Sequence, residues 1–101
     1  MCQIDDDDIS LGLDPEYSSY ELDNVSVEIF DATGASERHD YGRLALSSIT
    51  PLVINDPGLR EIDSTGQSPV RAVVTMIFLI RDATGQVIDT LTASNPIPVN
   101  P

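Results

Sequence analysis

An all-β fold, a small antiparallel β-sandwich, is what the sequence predicts, and three observations carry the prediction. Short apolar runs rich in β-branched residues recur along the chain, as in residues 25–30 and 69–81. Gly, Pro, Asn and Asp punctuate them at residues 31–34, 55–58, 63–66 and 82–85. No segment sustains the apolar period of a helix.

Taken in order, residues 1–24 are acidic and irregular, with a block at Asp5, Asp6, Asp7 and Asp8. Ile9, Leu11 and Leu13 alternate with polar or small residues until Asp14-Pro15 breaks the pattern, which suits a short strand or an extended arm; residues 1–24 as a whole read as an extended N-terminal arm whose Tyr17 and Tyr20 pack onto the body or onto a neighbour. Residues 25–30 alternate cleanly, Val25, Val27 and Ile29 against Ser26 and Glu28, as a half-buried strand does. Asp31-Ala32-Thr33-Gly34 fits a type I turn with Gly34 at positive φ. Residues 35–42 read as a polar loop, 43–49 (RLALSSI) as a strand, 51–54 as a short extended run and 59–68 as an exposed loop. The strongest strand is 69–81, apolar on both faces and therefore central or covered by a partner. A second Asp-Ala-Thr-Gly at 82–85 turns it into a partner strand at 86–93; the repeat reads as one turn solution used twice rather than a duplication. Residues 94–101 hold three prolines and read as an extended tail outside any regular ladder. The expected organisation is an acidic arm (1–24), a sandwich body (25–93) of immunoglobulin-like or jelly-roll-like type, and a Pro-rich tail (94–101), the two ends forming extended terminal arms.

Charge points first to solvent. There are 12 Asp and 5 Glu against 5 Arg and no Lys, a formal net charge of -12. In concentrated salt the Debye length shrinks to about 3 Å, so carboxylates no longer repel one another and instead hold water and cations. Arg keeps bidentate pairing where the long apolar stem of Lys favours aggregation. The same charge disfavours nucleic acid and anionic membranes as partners. One cysteine, Cys2, permits no internal disulfide, and the N-terminal residues have neither the basic nor the apolar region of a secretory signal, so synthesis in the cytoplasm is expected.

Chemistry is sparse. His39, the one histidine, sits among Glu37, Arg38 and Asp40 in a stretch read as an exposed loop. One Cys and one His far apart do not suit zinc. An EF-hand spacing begun at Asp5 finds Asp7 and Glu16 but meets Ile9 and Ser10 where oxygen and glycine are needed, leaving loosely bound cations at Asp5 to Asp8 as the cation expectation. Neither a GxGxxG nor a GxxxxGK[ST] phosphate loop is present. No catalytic, cofactor or metal residues are assigned.

The composition resembles that of proteins from salt-in halophiles, and together with the fold class it resembles a small virion structural protein, a capsid decoration or tail/neck component, of a tailed virus of halophilic archaea. The resemblance implies a non-enzymatic structural or interaction role in a virion. Partners would be copies of itself or major capsid or tail proteins, in a homo-oligomer within an assembly. Apolar residues of the expected arms are then the partner contacts: Ile9, Leu11, Leu13, Tyr17, Tyr20, Ile97 and Val99. The alternative is an acidic inhibitor that mimics nucleic acid before a DNA-binding enzyme, a mode that molar salt weakens; a small enzyme is a third reading.

Overall fold

The computed structural model describes residues 2–100. Its strands are β1 (Gln3–Asp5), β2 (Asp8–Leu11), β3 (Glu21–Phe30), β4 (Ser36–Gly42), β5 (Leu52–Asn55), β6 (Arg71–Arg81), β7 (Val87–Ile97) and β8 (Val99–Asn100). They form two four-stranded sheets: a short one in the order β5-β2-β1-β8 and a long one in the order β4-β3-β6-β7. The neighbouring strands pair antiparallel except β1 and β8, which run parallel.

The sandwich follows from alternation. Val25, Val27 and Ile29 of β3 and Ala72, Val74, Met76 and Phe78 of β6 point inward and are buried. Ile4, Ile9 and Leu11 of the short sheet meet them, together with Leu59, Ile62 and Ile97. Burying a side chain such as Leu11 or Phe78 stabilises the fold by about 1.5–3 kcal/mol. The central position expected for the 69–81 strand holds: β6 lies between β3 and β7, and its second face leaves Val73, Ile77 and Leu79 half-buried on the outside.

Both Asp-Ala-Thr-Gly sequences close hairpins. Gly34 N–H donates to the Asp31 carbonyl at 3.2 Å and Gly85 N–H to that of Asp82 at 3.0 Å, with the glycines at φ 91° and 86°. A side chain in that left-handed region is strained, which accounts for glycine at both sites.

Four local expectations are corrected. Of the expected arm 1–24, the described residues 2–24 are not an arm: the acidic block is the tip of the β1–β2 hairpin, with Asp6 at φ 56°, and Ile4 pairs with Ile9 inside the core. The C-terminal segment is not outside the ladders either, since β7 runs through Pro96 to Ile97 and β8 pairs with β1. Pro96 is tolerated because β7 is an edge strand, where a missing N–H faces outward. The polar stretch 36–42 is strand β4, while 43–49 is irregular: Gly42 at φ 68° turns the chain out of the long sheet, and Leu44 and Leu46 only lean on the core during the crossing. Last, the 59–68 loop is anchored rather than free, with Leu59 and Ile62 fully buried.

Candidate functional site

The two ends of the sandwich differ. β3 reaches the first Asp-Ala-Thr-Gly turn at one end, and antiparallel β6 reaches the second at the other. Residues 56–67 fold over the first end and close it; residues 81–90 are all exposed at the second.

The closed end holds the densest polar cluster. Glu37, His39 and Tyr41 alternate onto the inner face of edge strand β4, where an apolar residue would ordinarily sit. They meet Asp56, which begins the 3-10 turn Pro57–Leu59 and caps it by accepting from Gly58 N–H at 3.1 Å. His39 Nε2 lies 2.6 Å from Glu37 Oε2, and His39 Nδ1 lies 3.0 Å from Asp56 Oδ2. The Tyr41 hydroxyl donates to Asp56 Oδ2 at 2.7 Å, and Asp63 N–H donates to Glu37 Oε1 at 3.2 Å. Burial, with the neighbouring Asp56 carboxylate, raises the Tyr41 pKa well above the ordinary phenol value, so its hydroxyl remains a donor. Gly58 is a glycine for space: a Cβ there would come within 2.7 Å of His39 Cε1. The cluster therefore ties an edge of the long sheet to the loop that leaves β5 of the short one. Each imidazole nitrogen thus faces a carboxylate. His39 is not the exposed loop histidine that the sequence suggests.

Asp31 extends the closed end. One carboxylate oxygen accepts from Thr33 N–H at 2.8 Å, the Thr33 hydroxyl at 2.6 Å and Ala35 N–H at 3.1 Å; the other accepts from the Thr65 hydroxyl at 2.6 Å. These bonds, the two hydroxyls foremost, hold its pKa below the usual carboxylate value.

The acidic block does not lie loose. Asp5 accepts from Gln3 and Asn100, Asp8 accepts from Asn55, and Arg60 reaches Asp7 at 2.7 Å and Asp6 at 3.5 Å. Among the described residues no group of three or more His, Cys, Asp or Glu is arranged to hold a metal ion, and no helix is long and apolar enough to cross a membrane.

The residues expected to meet a partner have mostly gone inward. Ile9 and Leu11 are fully buried and Ile97 nearly so, because the segments read as arms supply strands to the core. Leu13 and Val99 pack half-buried against it. Tyr17 stacks on Phe78 with ring centroids 5.1 Å apart, covering the core where the short sheet stops. Tyr20, 39% exposed and 6.2 Å from the Phe78 ring, alone of the seven offers open surface.

Exposed apolar side chains lie elsewhere: Ile49 in the crossing segment, Val53 on β5, Val70 before β6, and the adjacent pair Val87 and Ile88 of the open-end hairpin. Arg81 donates to Glu21 at 2.6 Å at the base of that hairpin, lowering the Glu21 pKa, and Arg43 pairs with Asp23 at 3.0 Å beside it. Sequence reasoning missed this element because residues 86–93 read only as a strand partner; the β-branched pair Val87-Ile88, one residue past the turn glycine Gly85, was the available signal. No protein-family model, curated protein or solved structure matches this chain.

Proposed function

We propose that this protein is a non-enzymatic structural and interaction module of a larger protein assembly, working in concentrated salt. The observation that supports this reading is the asymmetry of the sandwich. One end is tied by part-buried polar bonds, while the other ends in a hairpin whose ten residues from 81 to 90 are exposed and include the adjacent Val87 and Ile88. Two adjacent apolar side chains on a two-stranded projection gain free energy when a contact removes them from water. With a surface at -12 and no Lys, such contacts form most readily where salt screens the carboxylates. A decoration or minor structural protein of a virion, made in the host cytoplasm, is the form of assembly that the composition favours.

The test has two parts. The melting temperature and sedimentation of the full chain are compared in about 0.1 M and about 1 M salt, where the screening length falls from roughly 10 to 3 Å; greater stability and stronger association in the higher salt are expected. Density-purified virus particles from a halophilic host carrying the gene are then probed for the chain. Recovery in the particles supports the proposal. A chain that stays free of them, and that binds a basic nucleic-acid enzyme only at low salt, refutes it in favour of the acidic mimic.

A further inference from the structure

We infer that the edge strand β7 is a self-association surface: it pairs antiparallel with β7 of a second copy, centred on Thr92, and makes one continuous sheet from the two long sheets. This deepens the proposed function by naming one partner, a second copy of the chain.

The backbone phase of β7 is readable from Pro96. It lies opposite Val73 and has no N–H, so the Pro96–Val73 pair is one whose amides do not bond across the ladder. Antiparallel pairs alternate, so Ser94, Thr92 and Thr90 share that phase and turn their N–H and C=O groups away from β6. The Thr90 N–H confirms it: instead of bonding β6, it donates to the Asp89 carboxylate at 2.8 Å. Thr92 and Ser94 are exposed. The outward N–H groups of Thr92 and Ser94, with the carbonyls of the row, are a template for another strand; at Thr90 the N–H would exchange Asp89 for the incoming carbonyl.

Charge selects a second copy of the same chain as the occupant. Two molecules at -12 meet most easily where neither carries charge. The seven residues of β4 include Glu37, Arg38 and Asp40, whereas the eleven of β7 hold only Asp89. The other edges, β5 and β8, are four and two residues long.

Centring on Thr92 also matches side chains. Thr92 faces its own copy and Thr90 faces Ser94, the cross-strand hydroxyl pairs that sheets favour. Asp89 faces Asn95, an amide able to donate to the carboxylate. Leu91 faces Ala93, a large residue beside a small one. Ala93 also lines a mostly apolar cavity of about 140 Å³ with Asp14, Tyr17, Met76, Asn95 and Ile97, so Leu91 of the second copy packs against one of its lining residues. A twofold axis makes each of these contacts twice.

The experiment uses the full chain in about 1 M salt, with sedimentation equilibrium as readout. A dimer is expected. Thr92→Lys sets two like charges against each other at the axis and is expected to weaken the dimer about tenfold or more, leaving the melting temperature of the monomer unchanged. In a Cys2→Ser background, Thr92→Cys is expected to oxidise to a covalent dimer, since facing Cα atoms about 5.5 Å apart suit a disulfide. Ser94→Cys, which faces Thr90 rather than itself, is expected to do so at least about tenfold more slowly. A monomer in high salt, a dimer indifferent to Thr92→Lys, or equal cross-linking at the two positions overturns the inference. A chain found in particles but monomeric fails here alone; a Thr92-centred dimer absent from particles fails the proposed function alone.

Discussion

The first and second Asp-Ala-Thr-Gly turns are the same four residues with the same local bonds, yet they do different work. In both, the Asp carboxylate accepts from the Thr hydroxyl at 2.6 Å and from two backbone N–H groups, those of Thr33 and Ala35 or of Thr84 and Gln86. In both, those bonds lower the Asp pKa. What differs is the second carboxylate oxygen. Asp31 is 3% exposed and bonds Thr65 from a loop 34 residues away, whereas Asp82 lies open at the hairpin tip. Turn geometry is thus written locally, while the turn's share in global stability comes from what packs over it.

The widest separation between the turns is expected from removing the carboxylate. Asp31→Ala strips a buried site of its acceptor and is expected to give the largest fall in melting temperature, while Asp82→Ala costs little because water replaces the lost bonds. Equal falls in thermal denaturation would show that the two turns are equivalent. Next, Thr65→Val removes the one bond that distinguishes them and is expected to cost about 1 kcal/mol or somewhat more in urea unfolding, since it leaves a buried oxygen without its partner. The Asp31→Ala effect should shrink in the Thr65→Val background, a double-mutant cycle that isolates the pair. Gly34→Ala and Gly85→Ala should erase the contrast: no atom lies within 4 Å of either added Cβ, so both cost only the strain of positive φ, about 1–2 kcal/mol each. Unequal costs would mean that the surroundings act on the glycine as well as on the aspartate. The smallest effect is acid sensitivity. A carboxyl whose folded pKa is depressed stabilises the fold at neutral pH and loses that contribution as pH falls below the ordinary Asp value of about 3.9 and through the folded one. Asp31→Asn should flatten the acid limb of a stability profile more than Asp82→Asn does, because the hydroxyl of Thr65 adds to the depression at Asp31.

What was legible in the sequence follows the same division. The strands at 25–30, 69–81 and 86–93 and both hairpin turns were readable because apolar alternation and turn glycines are local signals. β4 was hidden because its inward residues Glu37, His39 and Tyr41 are polar, and their partners Asp56 and Asp63 lie in a distant loop. A turn that closes a hairpin implies a returning strand, and that inference was available at residue 36. The acidic block concealed a hairpin for a related reason: four Asp in a row read as solvated chain, although Ile4 and Ile9 stand symmetrically about Asp6 and Asp7. Pairing of β8 with β1 had no sequence signal, since two residues among prolines carry no period. Of the seven apolar residues expected at partner contacts, Ile9, Leu11 and Ile97 are core because the segments that carry them are strands whose partners lie far away in sequence, a pairing with no local signal.

The parallel pairing of β1 with β8 also sets an order of events as the chain is made. Ile4 N–H donates to the Pro98 carbonyl at 2.9 Å and Asp6 N–H to that of Asn100 at 2.8 Å, so the first strand finds this neighbour among the last described residues. The β3–β4 and β6–β7 hairpins close over short loops and form early; β1 must wait for the remainder of the chain. Until then the β1–β2 hairpin presents an open edge at β1, the kind of edge that invites unwanted strand pairing.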